Sequence, residues 1–304
     1  MLSDYFLNEV YPYFNAKLQS EGARRTYKLA LESISDFCKK DFLDITETDA
    51  RAYANALSSG KILSERNRAF SKTSISVRLS ALRSVAAFLE ESNDIFDYGK
   101  NYKSAFATLA VADTPDIAPD KIPSVEDIDR IMQAAPSLEF RVIFLMAWRC
   151  GLTVSEIITL KRSYLFSDAS GQLGIRFSSP KKGERFVKIP QDIQPDVTRY
   201  LASLMPGDDH VFLNNKRRPF SEAYLYRVVR NIVASSGASA LWSLKDLRNA
   251  CAAHALYSGA QPSATASFLG VLPRWLKRYD RVVSELDLQP CDLSFVQVKG
   301  GGKS

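Results

Sequence analysis

SLKDLRNACAAHALYSGA, residues 243–260, and SFLGVLPRWLKRYD, residues 267–280, hold the most informative side chains of the chain. In the first segment Lys245 and Arg248 stand three residues apart, so a helix here would carry both cations on one face. His254, set among Ala252, Ala253, Ala255 and Leu256, reads as a packed residue of the same helix. In the second segment Tyr279 follows Trp275 by four residues, the spacing of one helical face. Taken alone, Tyr279 is an aromatic on a packed face. Its upstream neighbours are what give it a chemical reading.

Immediately upstream, helical patterns run from Pro219, preceded by the basic run Lys216-Arg217-Arg218. Such a run is ordinarily a solvated loop, with phosphate contact as the functional alternative. Ile175-Arg176-Phe177 and Phe186-Val187-Lys188-Ile189 flank the turn-rich Pro180-Lys181-Lys182-Gly183, which predicts a hairpin with a basic tip. Phe140 to Trp148 is apolar enough for a buried helix, and Ser124 with Asp127 has the form of a capping box. From Asn93 to Pro123 the periodicity fails, and Pro115, Pro119 and Pro123 mark a linker. The first hundred residues are helical. Tyr27, Leu31, Ile34 and Phe37 form one stripe, and Ile75, Leu79, Leu82, Val85 and Leu89 another. Thr46 with Asp49 can cap a helix carrying Tyr53 and Leu57, and Leu2 to Phe14 offers a fourth.

With 304 residues, 46% of them apolar, the chain has material for two packed domains, which excludes disorder, collagen and a disulfide scaffold. Its net charge of +6 favours polyanionic partners. That excess is concentrated after residue 112, where 25 basic side chains face 20 acidic ones. Cys38, Cys150, Cys251 and Cys291 lack metal-like spacing and read as reduced thiols, and with His210 and His254 as the sole histidines no metal site is expected. No signal peptide and no run of 18 apolar residues is present, so the expectation is a soluble, cytoplasmic protein without membrane contact.

The second half resembles the tyrosine recombinases, the phage-integrase and Xer-like superfamily. The family's C-terminal signature runs His-x-x-Arg, a glycine eleven residues on, Leu-Gly-His, then a nucleophilic tyrosine. Arg248, Gly259, Leu269-Gly270 and Tyr279 match it in order. GLTVSEIITLK, Gly151 to Lys161, is similar to the family's Gly-x-Arg-x-x-Glu-Leu box. KGERFVKIP, Lys182 to Pro190, resembles its hairpin-lysine segment, and ISVRLSALRSVAAFLE, Ile75 to Glu90, the last helix of its core-binding domain.

The resemblance implies Tyr279 as a nucleophile that keeps the energy of a broken phosphodiester in a covalent protein–DNA link, so no cofactor is needed. Arg248 would clamp two phosphate oxygens with its planar fork, and Lys245 would add a point charge. Lys182 would protonate the leaving 5′-oxygen; Lys181 is the alternative, and Lys182 is preferred for lying eight residues before Pro190. Three positions depart from the pattern: Thr153 stands at the first arginine, Lys245 at the first histidine and Val271 at the second. The gap from Val271 to Tyr279 is also one residue short of the family spacing. Arg149, four residues before Thr153, could reach into the vacancy if its helix runs on.

The expected fold is mainly α: a helical core-binding, SAM-like domain over residues 1–95, a linker over 96–122, a mainly helical catalytic domain with a small antiparallel β-sheet over 123–290, and a tail over 291–304. The resemblance implies a C-shaped clamp on duplex DNA, Xer-like and without a further N-terminal arm-binding domain, monomeric or weakly associated when free and tetrameric on DNA at synapsis. The favoured function is site-specific recombination through a 3′-phosphotyrosine, serving DNA integration or excision. The alternatives are a recombinase-fold DNA-binding protein with impaired catalysis, acting as a regulator or accessory subunit, and, more remotely, a topoisomerase.

Overall fold

Small hydroxyl side chains start most of the long helices. Ser20, Thr46, Ser71, Ser124, Ser137, Ser221 and Ser243 each accept a hydrogen bond from the backbone N–H three residues on, satisfying a donor that the helix itself leaves unpaired. The structure is a computed structural model that describes residues 1–18, 20–64, 67–109, 116–179 and 183–286. The chain divides into two compact units, Met1–Pro115 and Asp116–Ser304. Among the described residues no helix is long and apolar enough to cross a membrane.

In the first unit a π-helical turn, Phe6–Val10, runs into α1 (Tyr11–Ala16), and α2 (Glu21–Cys38), α3 (Glu47–Ser58) and α4 (Lys72–Glu91) follow. The predicted stripes lie inward: Leu31 and Ile34 on α2, and Leu79, Leu82, Val85 and Leu89 on α4, are buried. Phe37 is the exception. It is 42% exposed, its ring resting against that of Tyr53 at the edge of the core. Thr46 and Asp49 form the full capping box ahead of α3. Part of the stretch read as linker is packed here: Tyr102, Ala105 and Phe106 are buried, and Phe106 stacks on Phe42 with centroids 5.6 Å apart. These residues sit on irregular chain after α4, where burial leaves no periodic signature to read.

The second unit begins with α5 (Val125–Gln133), α6 (Leu138–Trp148) and α7 (Val154–Ile158), then β1 (Leu165–Ser167), β2 (Leu173–Ser179) and β3 (Gly183–Lys188). After these come α8 (Gln194–Ser203), α9 (Glu222–Ser235), α10 (Leu244–Tyr257), α11 (Pro262–Leu269) and α12 (Asp280–Glu285). The fold is mainly helical with one small antiparallel sheet in the order β1-β2-β3. The predicted hairpin is β2–β3, with Ile175 opposite Val187 and Phe177 opposite Arg185; β1, too short for a sequence signal, completes the sheet. Helices α6 and α10 pack together through the middle of the core, which explains why α6 is apolar on every side from Val142 to Trp148, after Glu139 and Arg141 in its first turn. Ser124 caps α5, yet Asp127 does not return the bond as a capping box would. Its carboxylate instead accepts from the Ser239 hydroxyl and backbone N–H and from Trp242 Nε1 at 2.8 Å, tying α5 to the approach of α10.

Candidate active site

Helix α10 sets the site. The Ser243–Asp246 capping box fixes its first turn, so Lys245 and Arg248 leave the helix on one side, as their spacing predicts. Arg248 donates Nη1 to the carbonyl of Gly151 and Nη2 to that of Leu269 at 2.7 Å. Its side chain is only 14% exposed, and burial lowers its pKa, with the nearby charge of Arg185 acting in the same direction and Glu156 opposing. Gly151 has φ +60°, and a side chain there would strike Leu269 at 2.4 Å; the glycine is what lets α11 close onto the start of α7.

Thr153 caps α7. Its Oγ1 accepts from the Glu156 N–H at 3.2 Å, and Glu156 Oε2 accepts from the Thr153 N–H at 2.8 Å. The hydroxyl is thereby used in holding Glu156 in place. The carboxylate of Glu156 in turn lies 2.9 Å from Arg185 Nη1 and 3.8 Å from Arg248 Nη1. Arg185, on β3, also donates to the Leu269 carbonyl at 3.0 Å, so both arginines meet on one carbonyl and one carboxylate.

Tyr279 closes a 3₁₀ segment, Pro273–Tyr279, and is 1% exposed. Its hydroxyl donates to Asn249 Oδ1 at 2.9 Å, and burial pushes its pKa up to about 12 against the opposing pull of Arg278 and Arg248. Arg149 ends α6 and does not extend towards α7. Its Nε and Nη2 both donate to Asp192 Oδ2, at 3.2 and 2.9 Å, in the turn that leads into α8, the helix having stopped at Trp148. Lys245 is exposed, in a groove of about 490 Å³ lined by Val154, Leu225, Tyr226, Arg230 and Trp242. Val271 is half-buried against the core. Lys181 and Lys182 lie outside the described residues.

The Lys216-Arg217-Arg218 run is an exposed turn whose Asn214 side chain accepts from the N–H groups of Lys216 and Arg218. Arg217, at φ +55°, pairs with Asp208, leaving Lys216 and Arg218 as the freer cations of the turn. His254 is buried against Trp148, as its alanine-rich surroundings predict.

Sequence reasoning did not single out Arg185, Asn249 or Asp192. A signal for Arg185 exists: strict alternation along β3 puts it on the same face as the buried Val187, and a charge on the inward face of a strand needs a partner. Asn249 and Asp192 meet Tyr279 and Arg149 only through tertiary contact.

Residues 124–271 match the phage integrase family, and residues 12–93 match the N-terminal SAM-like domain of phage integrases. The chain belongs to the phage integrase family of tyrosine recombinases. Tyrosine recombinase XerD of Halalkalibacterium halodurans is 26% identical over 221 residues, 68% of this chain and 69% of that one. Among solved structures, the Tn1549 transposon integrase in complex with circular intermediate DNA matches with a TM-score of 0.64 at 12% identity, covering 95% of this chain and 100% of that one. The XerH site-specific recombinase in its post-cleavage complex with a palindromic difH substrate matches with a TM-score of 0.63 at 15% identity, covering 90% and 78%.

Proposed function

We propose that the chain is a site-specific recombinase that cuts and rejoins duplex DNA strands through a 3′-phosphotyrosine on Tyr279. The observation that carries this reading is that Arg248 and Tyr279 meet at the first half of α10: the guanidinium is held in a partly buried, cation-rich site near enough to act on the phenol, which is anchored on Asn249, the residue after Arg248. In that low-dielectric setting a guanidinium stabilises the charge gained by an attacked phosphate more strongly than it would in water. The DNA-bound states of its structural relatives support duplex DNA as the partner.

In the proposed step the Tyr279 oxygen gives up its phenolic proton to solvent and bonds to phosphorus as the bond to the 5′-oxygen breaks. Arg248 holds the non-bridging oxygens, Lys245 adds positive charge from the exposed face of α10, and a hairpin lysine, Lys182 or its neighbour Lys181, protonates the leaving oxygen. Because Tyr279 is enclosed and bonded to Asn249, the 273–279 segment must move on DNA binding before attack. Exchange of strands would follow within a tetramer at synapsis, with the protein monomeric or weakly associated beforehand.

A second reading has its own observations: Thr153 is occupied as a helix cap, the Val271 side chain has no donor to offer, and Tyr279 is hidden, as in a DNA-binding regulator that has lost cleavage. Incubation with the DNA flanking its own gene separates the two. A denaturation-resistant protein–DNA adduct, lost in Tyr279→Phe while duplex binding persists, is the expected result. Duplex binding with no adduct from the wild type would favour the regulator.

A further inference from the structure

The family's first arginine is replaced by a threonine whose hydroxyl is already bound, yet the site still contains two guanidinium groups. We propose that Arg185 is the second phosphate-clamping residue, supplying from β3 the cation that Thr153 does not; this rests on the recombinase reading above.

Four observations converge on Arg185. Its Nη1 and the Nη2 of Arg248 donate to the same carbonyl, that of Leu269, at 3.0 and 2.7 Å, which makes the two heads neighbours. Both are ion-paired to the one carboxylate of Glu156, so two positive charges face a single negative charge, and an anion would complete the balance. Both side chains keep the same 14% exposure. Finally, Nε and Nη2 of Arg185 are enclosed without a hydrogen-bond partner among the described residues, although the ring of Phe177 covers one face of the guanidinium with its centroid 4.7 Å away.

That last point is the most telling. Buried N–H donors left without partners are costly, and natural sites that keep them commonly do so for a ligand. The Nε–Nη2 edge of a guanidinium presents two parallel donors, the geometry that two oxygens of a phosphate accept. Gly270 protects the arrangement. A Cβ at that position would lie 2.3 Å from Arg185 Nη1, so only glycine leaves the guanidinium where it is. The Leu-Gly pair of the sequence signature therefore has a local purpose in this chain: its leucine carbonyl gathers both arginines and its glycine makes room for one of them.

Functional complementation tests the assignment. Arg185→Gln should lower the rate of adduct formation on a nicked suicide substrate by about 10²–10³, the loss expected for one transition-state donor. Arg185→Lys, which retains the charge facing Glu156 but not the fork, should fall between the two. The double variant Arg185→Gln/Thr153→Arg restores a guanidinium at the family's own position and should recover cleavage to within about tenfold of wild type. Arg248→Gln with Thr153→Arg should not recover.

A purely structural Arg185 would not be rescued from α7. A double variant that folds and binds duplex but stays as slow as Arg185→Gln would overturn the proposal, as would an Arg185→Gln single variant that cleaves like wild type. Titration of inorganic phosphate into the free full-length chain gives a reading that needs no catalysis. Affinity should drop in Arg185→Gln and return in the double variant; an affinity unchanged by Arg185→Gln counts against the proposal. Should the wild type bind DNA without forming adduct, the recombinase reading fails, and the phosphate titration alone judges Arg185.

Discussion

Acidification should destabilise the second unit through His254, and the size of the effect follows from its surroundings. The imidazole is 1% exposed; Nδ1 accepts from Trp148 Nε1 at 3.4 Å, and Nε2 has no partner among the described residues. Burial, with the charge of Arg149 adding to it, depresses its pKa from 6.5 to about 4. The folded protein thus refuses a proton that the unfolded chain accepts. Stability from this group is fully present above about pH 6.5, is lost as the pH falls from there towards 4, and loses nothing further below that. The total is about 3 kcal/mol, with about 2 kcal/mol already gone at pH 5. For a unit of this size that corresponds to a fall of roughly 4–8 °C in Tm by pH 5. Carboxylates titrate over part of the same range, so the comparison is with His254→Asn, which keeps an acceptor near Trp148 but cannot be protonated. Urea denaturation of both proteins at several pH values between 7.5 and 4.5 should give a stability difference that shifts in favour of the variant by about 2.5 kcal/mol as the pH drops. A difference that stays flat over that range would refute the account of a neutral, buried imidazole.

Two further outcomes follow from the site and the basic turn. Gly270→Ala places a Cβ 2.3 Å from Arg185 Nη1 at a residue with φ +67°, so thermal melts should show a loss of about 1–2 kcal/mol, with adduct formation slowed more than duplex binding. Replacing Lys216, Arg217 and Arg218 together by Ala should reduce the slope of log affinity against log salt by about two rather than three, because Arg217 is already paired with Asp208; an unchanged slope in filter binding would remove this turn from the DNA interface.

The elements that local chemistry specifies were legible in the residues themselves. The stripes of α2 and α4, the Thr46 and Ser124 caps of α3 and α5, the apolar stretch of α6 and the β2–β3 hairpin depend on spacing, capping and turn residues within a few positions of one another. Arg248 and Tyr279 were legible as candidates for the same reason, through a motif with set intervals. Tertiary structure alone decided their surroundings. That Arg149 turns to Asp192, 43 residues away, instead of towards Thr153 depends on where α8 packs. That Tyr279 rests on Asn249 depends on how the chain returns after α11. The meeting of Arg185 and Arg248 on the Leu269 carbonyl joins β3, α10 and the end of α11, three segments whose proximity no local pattern encodes. Helix periods and caps are properties of neighbouring residues, whereas the pairing of buried charges is settled by which distant surfaces must share one core, and there the free energy of leaving a donor or a charge unpaired selects the partners.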